Sequence, residues 1–158
     1  MRLSTYSDYA LRVLMQAALR QPRLVTVDEV STTFSISRHH LVKVVHDLGR
    51  SGYLRTRRGS GGGFTLALRP DNISIADIVR LGEETDTFID CQEVHGQSCR
   101  LRPACRLKAI LDEAAAGFFQ VLERYSIADL VNQPDRMGTV LGLSAVNHGR
   151  THAASPAK

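Results

Sequence analysis

The order of patterns in the first 68 residues constrains the fold most: two helical stretches, a tight turn, a third helix, then two strand-like runs around a glycine-rich loop. Thr5 to Arg20 reads as a helix because Ala10, Leu11, Leu14, Ala17 and Ala18 recur at helical spacing. Thr5 and Asp8 stand where a capping box would start it. Thr26 to Phe34 reads as a shorter helix, with Thr26 and Glu29 forming a second box. Ser35-Ile36 is a turn, and Ser37 caps a third helix from Arg38 to about Arg50. Leu41, Val44, Val45 and Leu48 give that helix one apolar face, and Ser51-Gly52 ends it. Tyr53–Arg57 and Phe64–Leu68 flank the loop Arg58-Gly59-Ser60-Gly61-Gly62-Gly63, which predicts a hairpin with a flexible tip. The expected fold is mainly α: a winged helix-turn-helix with a two-stranded wing, plus a long C-terminal dimerisation helix.

Beyond the hairpin, Arg69-Pro70-Asp71-Asn72 breaks the pattern, and Ser74 to Leu81 is another capped helix with Asp77 at its third position. Residues 82–105 lack clear periodicity and contain every cysteine. Leu107, Leu111, Ala114, Phe118, Val121 and Tyr125 then alternate at spacings of four and three, a heptad seam with Ile110 and Leu122 beside it. A seam of this length needs a partner surface, either its own head or a second copy, and a homodimer is the expectation, since readers of paired half-sites usually match them with a two-fold axis. Ser126–Val131 nearly repeats Ser74–Val79, which is too short to imply a repeat architecture. The expected organisation is a DNA-binding domain over 1–69, a helix and cysteine loop over 70–105, a dimerisation helix with a short C-terminal helix over 106–143, and a disordered tail over 144–158.

Charge is distributed unevenly along the 158 residues: +7 over 1–69, −5 over 70–133 and +2 over 134–158. A basic head joined to an acidic middle suits a polyanion partner, here double-stranded DNA. Arg38, His39, His40 and Lys43 stand at and near the start of the third helix, where a recognition helix meets base edges. Arginine pairs bidentately with guanine; Lys43 suits a phosphate equally well, and the two histidines could contact either or simply face water. Arg55, Arg57, Arg58 and Gly59 would form a basic wing tip able to enter a minor groove. The glycine loop is not a nucleotide-binding loop, because no Gly-Lys-Ser/Thr follows it and it leads into a strand. No apolar run is long enough to span a membrane, and Met1-Arg2-Leu3-Ser4 opens no secretory signal, so a cytoplasmic protein with reduced thiols is expected. No paired carboxylates, nucleophile–base set or cofactor loop points to an enzyme.

Cys91, Cys99 and Cys105 fall within 15 positions, spaced Cys-x7-Cys-x5-Cys. That is neither the C-x2-C pairing of zinc ribbons nor a common ferredoxin spacing. Spacing alone leaves a metal or cluster site, a thiol switch and unliganded cysteines open. Arg100, Arg102, Arg106 and Lys108 surround the last two and would balance the charge of thiolate ligands.

Several motifs together carry a resemblance over about residues 1–143: Met1-Arg2-Leu3, Ser7-Asp8-Tyr9-Ala10-Leu11-Arg12, Val42-Lys43-Val44-Val45, Arg58-Gly59 with Gly62-Gly63, Ala104-Cys105-Arg106-Leu107-Lys108, and Tyr125–Val131. In these the chain resembles the bacterial winged-helix iron–sulfur repressors of the NsrR, IscR and RirA type. Ser37-Arg38-His39-His40-Leu41-Val42-Lys43 and Asp8 are most similar to the nitric-oxide-sensing NsrR group. The resemblance implies an iron–sulfur cluster, [4Fe–4S] with [2Fe–2S] as the alternative, on Cys91, Cys99 and Cys105, with Asp8 of the partner subunit as fourth ligand. A carboxylate is a harder, weaker ligand for iron than thiolate, so nitric oxide would attack at that iron first. Asp8 would then serve as ligand or as helix cap, or divide its two oxygens between them. Arg12, four positions on, would orient Asp8 or form an ordinary surface pair. Seven residues between Cys91 and Cys99 are more than NsrR and IscR proteins usually have and closer to RirA-type iron regulators, and His95 in that loop is an alternative fourth ligand. The implied function is a nitric-oxide-responsive repressor on a palindromic operator; an iron- or cluster-status regulator is the alternative, and a zinc- or thiol-switched DNA-binding module without a cluster is the reading from another class.

Overall fold

The computed structural model describes residues 2–83 and 104–143. The elements are α1 (Thr5–Leu19), α2 (Val27–Phe34), α3 (Arg38–Arg50), β1 (Leu54–Arg57), β2 (Gly63–Leu66), a 3-10 turn (Pro70–Asn72), α4 (Ile75–Gly82), α5 (Leu107–Leu122), α6 (Ile127–Leu130) and α7 (Pro134–Val140). This is a mainly helical winged helix-turn-helix carrying a long C-terminal helix.

Three helix starts show which local expectations survive tertiary contact. In α2 the Thr26–Glu29 box forms in both directions, with the Thr26 amide 2.8 Å from Glu29 Oε2 and the Glu29 amide 3.2 Å from Thr26 Oγ1. In α1 the cap is Ser4, not Thr5: the Ser7 amide donates to Ser4 Oγ at 3.1 Å, and the Asp8 side chain takes no part. In α4 the Ser74 side chain makes no capping bond, and Asp77 lies 3.7 Å from Arg80 instead.

Between α2 and α3, Ser35 adopts a left-handed conformation with φ 54°, and Ser31 Oγ donates to the Ile36 carbonyl at 2.7 Å to hold the turn. The hairpin pairs Leu54 with Leu66 and Thr56 with Phe64, and is one residue shorter at Tyr53 and two at Leu68 than its sequence pattern. Val25 adds a third rung, exchanging bonds of 2.9 and 2.8 Å with Phe64. Gly63 permits this approach, because a Cβ there would stand 2.6 Å from the Val25 carbonyl oxygen.

One apolar cluster joins Ala10, Val13, Leu14 and Ala17 of α1 to Val30, to Leu41, Val44 and Leu48 of α3, and to Leu54, Phe64 and Leu66 of the wing. Thus α3 and the wing share one core with α1. Phe64 is 1% exposed, so Phe64→Ala is expected to cost about 3–5 kcal/mol in chemical denaturation.

A second cluster seats α5 on α4 through Ile75, Ala76, Val79 and Phe119, with Phe118 and Leu122 alongside. Arg80 stacks 4.5 Å over the Phe119 ring and donates to Glu123 at 2.7 Å, which fixes the rotation of α5. The heptad seam is corrected by this rotation. Leu111 and Phe118 turn partly inward, and of the seam and its flank Leu107, Ile110, Ala114, Val121 and Tyr125 stay outside. The near-repeats around Ser74 and Ser126 dock on each other antiparallel: the Ile75 amide donates to the Tyr125 carbonyl at 3.0 Å and the Ile127 amide to the Ile73 carbonyl at 2.9 Å. The expected tail over 144–158 lies outside the described residues.

Candidate functional site

The exposed side of α3 carries Arg38, His39, His40 and Lys43 together, while Leu41, Val44, Val45 and Leu48 face the core. Val42, 45% exposed on the same side, offers an apolar contact suited to a thymine methyl. Arg55, Arg57, Arg58 and Gly59 all lie exposed on the wing. Among the described residues, Lys43, Arg55, Arg57 and Arg58 have no acidic partner, so their charge is available to phosphate. Arg38 differs: its Nε–H donates to Asp28 Oδ1 at 2.7 Å. The wing tip depends on glycine at position 62, where a Cβ would run into the Arg57 and Gly59 carbonyl oxygens.

On α1, Asp8 is free of the helix cap. Arg12 Nε–H donates to Asp8 Oδ1 at 2.8 Å, and both side chains are a little under half exposed. Arg12 also lies 5.5 Å from the centroid of the Phe34 ring, which holds the guanidinium in place. Asp8 Oδ2 has no partner among the described residues. The next residue, Tyr9, sets its ring 6.1 Å from that of His40, so the backbone that carries Asp8 also supports the recognition helix.

Cys105 is a free, partly exposed thiol just before α5, with Arg106 at the helix N-cap and Lys108, paired with Asp112, in the first turn. Cys91, Cys99 and the alternative ligand His95 lie outside the described residues. No group of three or more His, Cys, Asp or Glu gathers among the described residues. The described donors suit an iron–sulfur group as far as they go: an accessible thiol beside cations, and a carboxylate with one oxygen oriented and one free.

Glu83 was not foreseen from the sequence. It closes α4 immediately before the cysteine-bearing segment and accepts the Ser4 amide at 2.9 Å and Ser7 Oγ at 2.6 Å, while Ser4 Oγ donates to the Gly82 carbonyl at 3.0 Å. Gly82 meets α1 so closely that a Cβ would strike Ser7 Oγ and the Tyr6 ring. Burial acts to raise the Glu83 carboxyl, but the bonds from Ser7 and Ser4 outweigh it and hold the group below the usual carboxylate range. The clasp's contribution is therefore complete above the ordinary Glu value of 4.5 and is lost as pH falls through the group's lower folded value. Glu83→Gln is therefore expected to lower the thermal midpoint at pH 7 and to flatten its dependence on pH below that point, read by calorimetry from pH 3 to 7. No local pattern marks this contact, because its partners stand 76 and 79 positions away.

A cleft of about 530 Å³ opens beside the clasp, lined by Tyr6, Lys43, Asp47, Arg50, Leu81 and Gly82. Burial, and then the Asp47 carboxylate, push the Tyr6 hydroxyl up to about 12, so it stays a neutral donor. The cleft is where the start of α1, the side of α3 and the end of α4 converge.

No helix among the described residues is long and apolar enough to cross a membrane. The chain is 42% identical to the HTH-type transcriptional regulator NsrR of Geobacillus kaustophilus over 142 residues, 89% of this chain and 97% of that one. It is 40% identical to the NsrR regulator of Bacillus subtilis over 139 residues, 87% and 95% of the two chains. Among solved structures it is similar in fold to the cysteine regulator CymR of B. subtilis, with a TM-score of 0.66 at 23% identity over 84% of this chain and 97% of that one. It is also similar to T. potens IscR, with a TM-score of 0.68 at 20% identity over 87% and 90% of the two chains. These relatives are named as transcriptional regulators, not enzymes. The Rrf2 family model, described as an iron-dependent transcriptional regulator, matches residues 3–133, and the chain belongs to that family.

Proposed function

We propose that the chain is a nitric-oxide-responsive repressor that binds a palindromic operator as a homodimer and loses DNA affinity when its iron–sulfur cluster is nitrosylated or lost. In this reading Cys91, Cys99, Cys105 and the partner subunit's Asp8 hold the cluster, most simply [4Fe–4S]. When bound, that group supplies a carboxylate-ligated iron open to a small diatomic molecule. The observation that carries the reading is Asp8: outside the helix cap, half exposed, with one oxygen fixed by Arg12 and the other unclaimed among the described residues. The named NsrR relatives at 34–42% identity support the same signal.

The chain's own residues supply the transmission. Arg12 orients Asp8. The Glu83 clasp ties the entrance of the cysteine segment to the start of α1, and Tyr9 passes the position of α1 to His40. In a dimer the two recognition helices must stand roughly 34 Å apart to read successive major grooves. A cross-subunit ligand would hold that spacing, and its release would relax it.

The test is an oxygen-free titration of the full chain with nitric oxide and, separately, with an iron chelator, following visible absorption and operator affinity together. Nitric oxide should change the absorption and release the operator in parallel, and Asp8→Ala should alter the dose required. Absorption that changes while operator affinity holds would rule the reading out. Release by chelation alone would favour an iron-status regulator, the reading closer to the family's description as iron-dependent.

A further inference from the structure

Two adjacent acids open α2, and they are used differently. Glu29 turns inward, accepting the Thr26 amide and the Arg23 guanidinium. Asp28 takes no part in the cap. Its one polar contact among the described residues is the 2.7 Å bond from Arg38 Nε, the first residue of the recognition helix. The pair does little for stability: its side chains are 66% and 72% exposed, and such pairs contribute about 0–1 kcal/mol. The backbone that carries the two residues is nonetheless held. Asp28 stands one residue inside a complete capping box, and the turn to Arg38 is held by left-handed Ser35 and the Ser31–Ile36 bond.

Among the described residues the bond at Nε leaves the two terminal nitrogens of Arg38 free, and those nitrogens suffice for an end-on bidentate contact with guanine O6 and N7. Asp28 Oδ2 remains an unclaimed acceptor among the described residues. An acceptor at a groove floor suits cytosine N4 or adenine N6 and opposes phosphate. We infer that Asp28 is a specificity-determining residue: it presets Arg38 for guanine and, through its second oxygen, selects an amino-bearing base next to it. This rests on the DNA-reading role proposed for α3. In a head with net charge +7 over 1–69, a carboxylate on the reading face lowers affinity for any duplex while sharpening the choice among them.

The experiment selects duplexes from a random-sequence library with the wild-type full chain, purified without oxygen. The selected duplex and an unrelated one are then bound by wild type, Asp28→Ala and Arg38→Ala across a salt series. Asp28→Ala should bind the unrelated duplex more tightly and lose roughly 10-fold in the ratio of selected to unrelated affinity, within the discrimination typical of a bidentate contact. Its repeat selection should show a widened preference beside the guanine. Its log–log salt slope should steepen by about 0.9, as the released Arg38 takes a phosphate. If Asp28→Ala tightens both duplexes by the same factor and selects the unchanged motif, the inference is overturned. Loss of the guanine by Arg38→Ala would then leave the reading role of α3 standing. If the wild-type chain selects no common sequence, that role fails and the inference with it.

Discussion

A Cys105→Ser chain purified without oxygen is expected to be colourless and to bind its operator no better than unrelated DNA. Cys105 lies outside both apolar clusters and is partly exposed, so losing its sulfur removes no core contact. With only Cys91 and Cys99 left, two thiolates and one carboxylate are a poor seat for a cluster that takes four protein ligands. Operator affinity should fall from the specific range, about 10⁻⁸–10⁻¹¹ M, toward the non-specific range of about 10⁻⁴–10⁻⁶ M at physiological salt. The residual binding should keep a steep salt dependence, because Lys43 and the wing arginines need no cluster to meet phosphate. Circular dichroism should match the wild type. A Cys105→Ser protein that remains brown and fully repressing would remove this thiol from the ligand set.

The same expectation separates two kinds of coupling. If the cysteine segment acts on the head through the Glu83 clasp, Glu83→Gln should keep the cluster spectrum and yet respond to nitric oxide with a weaker loss of operator binding. Ser7 is fully buried and bonded to that carboxylate, so the clasp is the one place in the described residues where the entry to the cysteine segment grips α1 directly.

What could be read in advance was set by short range. The apolar face of α3, the Thr26–Glu29 box and the alternation in the wing involve neighbours within a few positions, so periodicity and turn chemistry suffice for them. The cations on α3 and the wing were legible for the same reason, since an exposed side of a helix follows once its buried side is known. The failures share a different cause. Thr5 and Ser4 are both competent caps, and Glu83 docking on Ser4 decides between them from 79 positions away. Ser74 and Ser126 open near-identical stretches, yet only Ser126 keeps its box, with Asp129, while Asp77 lies 3.7 Å from Arg80. The part played by Asp28 could not be seen either, because a turn of exact geometry, not spacing, brings it to Arg38.

The rotation of α5 bears directly on assembly. The helix runs 16 residues, and Ile110 and Val121 are 55% and 49% exposed on it. Single exposed apolar residues need no explanation, but Leu107, Ile110, Ala114 and Val121 recur at spacings of three and four, or their sum, along one side of α5, and exposed Tyr125 follows just past its end. Phe119 and Arg80 already occupy the opposite side, so an intrachain partner for this stripe is missing among the described residues. In a two-fold dimer this stripe packs against the same stripe of the second copy. Ile110→Glu with Val121→Glu would place four carboxylates in that seam. An uncompensated buried charge costs about 3–5 kcal/mol, so the dimer dissociation constant should rise by at least about 10⁴-fold. Sedimentation should report a monomer at micromolar concentration, and the thermal midpoint should lose its dependence on protein concentration. Each half-site would be read alone, and operator affinity should collapse even though α3 and the wing are untouched. A double variant that still sediments as a dimer would place the two-fold axis elsewhere on the molecule.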